Sequence, residues 1–93
     1  MQPDRIYRVR IKISGFTQTQ VEQGLPGLRE EIGKRPWILD SQAFWDRSIN
    51  KLVIIVGYEL QERLEDRAFD ELSDCVIATL DFDEKIAFDM ERI

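Results

Sequence analysis

The stretch WILDSQAFWDRSINKLVIIVGYEL, residues 37–60, decides the fold. Its two ends, residues 37–46 and 51–60, are rich in the aromatic and β-branched residues that favour strands. The four residues between these ends suit the turn of a hairpin. Pairing Asp46 with Lys51 fixes the register of the two strands. One face of the hairpin then carries Leu39, Ser41, Ala43, Trp45, Leu52, Ile54, Val56 and Tyr58.

The opposite face of the predicted hairpin is polar except for one apolar patch, formed by Phe44, Val53 and Ile55. The second strand is apolar on both faces, which is typical of a strand in the middle of a sheet. An apolar patch on a sheet face that no helix covers indicates a surface that meets another molecule. We therefore treat these three residues as a candidate interface.

Upstream of the hairpin the pattern predicts a strand and then a helix. Residues 6–14, IYRVRIKIS, alternate between apolar and mostly basic side chains, as in a half-buried strand. Residues 17–33 repeat apolar side chains with helical spacing, and Thr19 and Glu22 are spaced as a capping box. Because proline cannot donate the helical hydrogen bond, Pro26 predicts a kink or a break in this helix.

Downstream of the hairpin the pattern predicts a second helix and a last strand. Residues 62–80 place an apolar residue at every fourth position. The segment CVIAT, residues 75–79, has the β-branched composition of a strand, but the unbroken four-residue repeat favours a helix. Residues 84–92 alternate again, which predicts a strand. The helical repeat comprises Leu64, Ala68, Leu72, Val76 and Leu80, and the last strand turns Ile86, Phe88 and Met90 inward.

The order strand, helix, strand, strand, helix, strand predicts one α+β domain over residues 1–93. Two right-handed crossovers place both helices on one face of a four-stranded antiparallel sheet. This is the ferredoxin-like βαββαβ sandwich, with the first and third strands central. On the face without helices, we expect the bases of the first strand to lie between acids of its neighbours. The bases are Arg8, Arg10 and Lys12, and the acids are Glu59, Asp89 and Glu91.

Composition excludes several classes of chemistry. The chain has no histidine and one cysteine, Cys75, so a histidine base, a disulfide within the chain and a Cys/His zinc site are excluded. We predict no cofactor, no metal site and no catalytic residue, which favours a protein that is not an enzyme. The net charge of −5 and the lack of an aromatic platform on the central strands argue against a nucleic-acid partner.

The chain also lacks the marks of a membrane or secreted protein. Its longest apolar run, residues 52–58, is far shorter than a membrane span. The first five residues do not follow the basic and then apolar order of a signal peptide. We therefore predict a cytoplasmic protein without a membrane partner.

One known family shares this order of elements. The chain resembles the regulatory amino-acid-binding (ACT) domains in its topology and at Gly15, which follows the first strand. Those domains bind their ligand near a glycine in this loop, usually at a dimer interface, so the resemblance implies a small ligand near Gly15. A glycine at the end of a strand is also ordinary turn chemistry, and we assign no family.

Two classes of function stay open on the sequence. The first is a non-catalytic interaction or regulatory module that forms a homodimer or binds another protein through Phe44, Val53 and Ile55. The second is a small-ligand-binding (ACT-like) domain or a cofactor-free enzyme of the dimeric αβ-barrel type. Its pocket would be lined by the same three residues, with Arg10 at the rim. The lack of histidine and of an acid–base pair favours the first class.

Overall fold

The computed structural model describes residues 6–59, 65–81 and 83–93. They form the elements β1 (Ile6–Ser14), α1 (Gln18–Gly33), β2 (Asp40–Asp46), β3 (Lys51–Glu59), α2 (Glu65–Thr79) and β4 (Ala87–Arg92). The four strands form an antiparallel sheet in the order β2-β3-β1-β4. The predicted α+β ferredoxin-like sandwich is therefore confirmed, with β1 and β3 in the centre.

The hairpin has the predicted register, since Asp46 pairs with Lys51. The strand β2 is shorter than predicted, because it begins at Asp40 and not at residue 37. Leu39, expected on the core face, precedes the strand and is 52% exposed. Trp37 packs against the core instead, with its ring edge-on to Tyr58 at a centroid distance of 5.8 Å.

The core lies between the sheet and the helices. Strands bury alternate residues in it, and each helix buries the residues along one side. Alternate residues of β1 and β3 and one side of each helix have almost no accessible surface. The core also contains the single thiol, and burial raises the pKa of Cys75. The largest fully buried side chains are Val9, Ile11, Ile13, Val21, Leu28, Ile32, Leu52, Ile54, Val56, Tyr58, Leu72 and Val76.

The start of α1 differs from the prediction. The capping box is formed by Thr17 and Gln20 rather than by Thr19 and Glu22. The Gln20 N–H donates to Thr17 Oγ1 at 3.1 Å, and the Thr17 N–H donates to Gln20 Oε1 at 2.8 Å. The cap of the helix therefore lies two residues earlier than the predicted cap at Thr19.

Of the kink or break expected at Pro26, the break is absent, since α1 runs as one helix from Gln18 to Gly33. Val21 before the proline and Leu28 after it are both fully buried in the core. Packing on both sides of the proline holds the helix together, although the Pro26 nitrogen donates no hydrogen bond. The local preference of proline is outweighed by burial of the apolar side of the helix.

The second half of the chain follows the predicted order of elements, although β4 begins at Ala87 and not at residue 84. The segment 75–79 is helical, as the four-residue repeat indicated. Ile86, Phe88 and Met90 pack against the core from the last strand and the residue before it. The predicted first turn of α2, with Leu64, lies outside the described residues.

Candidate functional site

The candidate site is the face of the sheet that carries no helix, called here the open face. Because side chains alternate along a strand, every second residue of each strand belongs to this face. The register places these residues in rows that cross the sheet. From β2 to β4, the three middle rows are Asp40–Gly57–Arg8, Gln42–Ile55–Arg10–Glu91 and Phe44–Val53–Lys12–Asp89.

The structure brings the three residues of the predicted apolar patch together. Phe44 pairs directly with Val53, and Ile55 is the next residue on the same face of β3. Val53 is only 2% exposed, although no helix lies over it. We attribute its burial to the larger side chains of its cross-strand neighbours, Phe44 and Lys12. Phe44 and Ile55 are half-buried, so these two, and not Val53, present apolar surface to a partner.

Glu91 of β4 pairs with two of the bases on β1. Arg10 Nε donates to Glu91 Oε2 at 2.8 Å, and Lys12 Nζ lies 3.5 Å from the same oxygen. The hydrogen bond from Arg10 is the main reason that the pKa of Glu91 lies below its usual range. The positive charges of Arg10 and Lys12 also lower it, and partial desolvation opposes the shift. The predicted acid–base pairing between β1 and β4 is present here.

Arg8 pairs with an acid of β2 that was not among the acids predicted around the bases of β1. The register sets Glu59 opposite Ile6 and sets Gly57 opposite Arg8. With no side chain at Gly57, the guanidinium reaches across β3 to Asp40 on β2, with hydrogen bonds of 2.6 and 3.1 Å. This hydrogen bond and the charge of Asp40 raise the pKa of Arg8.

Apolar side chains also lie at the end of the open face beyond the Arg8 pair. Ile6 is on the same face of β1 and is 45% exposed. Ile93 follows β4 and continues its alternation, and its N–H donates to the Arg8 carbonyl at 2.9 Å. The side chain of Ile93 is 52% exposed. Neither residue was predicted to contribute to an interface, although the alternation of residues 6–14 places Ile6 on this face.

Gly15, the weak candidate for a ligand loop, has a structural reason to be glycine. Its φ of +105° lies in the region that side chains disfavour. A Cβ atom there would lie 2.6 Å from the Lys85 carbonyl oxygen and 3.0 Å from Ile86 Cα. The turn after β1 therefore packs against the chain that enters β4, and a role in ligand binding stays a prediction.

A polar cluster at the end of β3 was missed by the sequence reasoning. Glu71 of α2 accepts hydrogen bonds from Trp37 Nε1 at 2.9 Å and from Arg67 Nε at 2.5 Å, and Arg35 Nε lies 3.2 Å away. Burial opposes ionisation, but the Arg67 and Trp37 hydrogen bonds and the charges of Arg67 and Arg35 outweigh it and lower the pKa of Glu71. Next to this cluster is a shallow cavity of about 360 Å³, lined by Pro36, Trp37, Leu39, Glu59 and Arg67.

Two further observations concern metals and membranes. Within residues 6–59, 65–81 and 83–93, no group of three His, Cys, Asp or Glu residues is arranged to hold a metal ion. Over the same part of the chain, neither helix combines the length and the hydropathy that a bilayer-spanning helix needs.

Comparisons with known proteins give only weak structural likeness. No protein-family model matches the chain. No curated protein is similar enough in sequence to count as a relative. Among solved structures, the chain is similar to a formyltetrahydrofolate deformylase from Pseudomonas putida KT2440, with a TM-score of 0.38 and 17% sequence identity. The similarity covers 94% of this chain and 28% of the deformylase chain, and it carries no information on function.

Proposed function

We propose that the protein is a small non-catalytic interaction module that forms a homodimer through the open face. The observation that supports this proposal is the patch of Phe44 and Ile55, which stays half-buried on a sheet face without helices. An antiparallel sheet with one bare face must meet water or another surface there. The more exposed Ile6 and Ile93 add apolar surface to the same face.

The charge pattern of the open face suits a second copy of the same chain. The bases of β1 lie in the middle of the face, and acids of β2 and β4 lie on both sides of them. A face of one sign would repel a copy of itself, whereas this face is nearly neutral. In a two-fold dimer the same surface serves both subunits, so a face with both signs can be complementary to itself.

The size of the face predicts a weak dimer. Four strands about 4.8 Å apart, with about seven residues each at about 3.3 Å, give a flat area on the order of 450 Å². Stable complexes bury about 800 Å² on each partner. Phe44 and Ile55 are already half-buried, so each gains less than the roughly 1.5–3 kcal/mol of a fully buried side chain. Because association itself costs several kcal/mol, we expect a dissociation constant in the micromolar range.

The competing function is a small-ligand-binding domain or a cofactor-free enzyme of the αβ-barrel type. On the sequence this class rested on Gly15 and on Arg10 at the rim of a pocket. In the structure Gly15 is held by backbone geometry, and Arg10 is bound to Glu91. Native mass spectrometry distinguishes the two classes, because a small molecule retained by the purified protein supports the binder.

Sedimentation equilibrium over a concentration range of roughly 1–200 µM tests the proposed dimer. Ile55→Glu places a charge in the patch and should leave a monomer at all these concentrations. Ile77→Glu adds the same charge at a residue of α2 that is 50% exposed, and should dimerise like the wild type. A monomeric wild type, or an Ile55→Glu dimer of unchanged affinity, would overturn the proposal.

A further inference from the structure

The strand β2 is an edge of the sheet, and no other strand of the described residues lies on its outer side. Alternate residues of an edge strand turn their N–H and C=O groups to the free side, where they can bind a strand of another chain. The conformation of β2 suits such addition, since its seven residues pair with β3 without interruption. The edge therefore offers a second way for two copies to associate.

A side chain from α1 occupies this edge. Arg29 Nη2 donates to the Ala43 carbonyl oxygen at 2.8 Å, and Arg29 Nε donates to the same oxygen at 3.3 Å. Paired strands lie only about 4.8 Å apart, so a guanidinium cannot enter between β2 and β3. The Ala43 carbonyl therefore points to the free side, at the middle residue of β2.

We propose that Arg29 closes the β2 edge against the strand of a second copy. An added strand would need the Ala43 carbonyl as the acceptor of its own N–H, and the guanidinium would have to leave first. The closure of the edge stands on the Arg29 contact alone. Its consequence, that a second copy is directed to the open face, rests on the proposed function.

The opposite edge is disfavoured for a different reason. Asp89 and Glu91 alternate on the open face of β4. If two copies of β4 paired antiparallel about Met90, Asp89 of each copy would lie opposite Glu91 of the other. Like charges directly opposite destabilise a strand pair. With β2 closed by Arg29 and β4 by its acids, the sheet stops at four strands.

The test compares Arg29→Ala with Glu30→Ala, an exposed neighbour on the same helix, by sedimentation and by amide hydrogen exchange. We expect Arg29→Ala to associate at least tenfold more tightly than the wild type. The new species should persist in Arg29→Ala/Ile55→Glu, and it should slow exchange at the amides of β2. Glu30→Ala should match the wild type.

Circular dichroism establishes that each variant is folded, and Arg29→Lys provides a second variant. Lysine keeps the charge but replaces the two-donor fork by one ammonium, so it should give a smaller increase of the same species. If neither variant at Arg29 associates more tightly than Glu30→Ala, the proposal is wrong. The oligomeric state of the single variant Ile55→Glu tests only the dimer through the open face, so the two proposals can fail independently.

Discussion

Arg8 and Asp40 form an ion pair that spans the full width of β3, passing over Gly57, which lies between them in the register. Two hydrogen bonds of 2.6 and 3.1 Å join the guanidinium to both carboxylate oxygens. Side chains on strands two apart seldom meet, because the residue between them occupies the space. The pair thus joins the edge strand β2 to the central strand β1 across the position of Gly57 on β3.

We predict that Gly57→Ala separates this pair while the fold is kept. A Cβ atom at Gly57 would lie 2.9 Å from Asp40 Oδ1 and 3.1 Å from Arg8 Nη1, and both side chains can move away. Alanine is also more favourable than glycine within a strand, so stability should change little. A double-mutant cycle of Arg8→Gln and Asp40→Asn should show coupling in the wild type and none in the Gly57→Ala background. Equal coupling in both backgrounds would contradict this role of Gly57.

Two glycines should respond to alanine with opposite signs. Gly15→Ala should destabilise the protein by about 1–3 kcal/mol, because its φ is positive and the Lys85 carbonyl occupies the position of the Cβ. Gly33→Ala should stabilise it by about 0.4–1 kcal/mol, because the last residue of α1 has nothing within 4 Å of that position. Urea denaturation of the two variants measures both shifts. If Gly15→Ala leaves the stability unchanged, backbone geometry does not explain the glycine, and a ligand near Gly15 becomes the better explanation.

The cluster around Glu71 should contribute to stability. Glu71→Ala removes the acceptor of the Trp37 indole N–H and leaves Arg35 and Arg67 without their shared carboxylate. The loss of a partner from a partly buried donor costs about 1–3 kcal/mol. Asp70→Ala changes the exposed neighbour and should stay within about 0.5 kcal/mol of the wild type. Denaturation followed by tryptophan fluorescence compares the two, and equal midpoints would mean that the cluster is not stabilising.

Glu91 should titrate below its ordinary value of 4.5, since the Arg10 hydrogen bond stabilises the carboxylate. A carboxyl group whose pKa is lower in the folded state stabilises the protein above its unfolded pKa. That contribution is present at neutral pH and is lost as the pH falls below this ordinary value and through the folded pKa. Side-chain carbon NMR measures the Glu91 pKa directly. Arg10→Gln should raise this pKa, and an unchanged value would show that Lys12 alone accounts for the shift.

The elements and the hairpin register could be predicted from the sequence because short-range patterns determine them. Alternation with period two assigns each strand residue to a face, and the four-residue turn leaves one register that pairs Asp46 with Lys51. The start of α1 could also have been predicted from the sequence. Phe16 and Val21 flank the Thr17–Gln20 box and are both buried, as in a hydrophobic staple, and this signal is stronger than Thr19 with Glu22.

What the sequence did not reveal depends on contacts between distant segments. The unbroken helix at Pro26 follows from packing on the sheet, which outweighs the preference of a single residue. The contacts of Arg29 with Ala43 and of Glu71 with Trp37 join elements whose distance is set only by the tertiary fold. The candidate patch was placed on the correct face, but pattern alone does not show that Val53 is already covered by its neighbours.

The position of β1 in the sheet sets the order in which the chain can fold. Val9 pairs with Val56 on one side and with Arg92 on the other, about half and nearly the whole of the chain away. The β2–β3 hairpin closes through a turn of four residues, so it can form early, whereas pairing between strands distant in sequence is slow. Until β4 arrives, β1 has a free edge with apolar residues at alternate positions. That interval is when a growing or refolding chain is most exposed to aggregation.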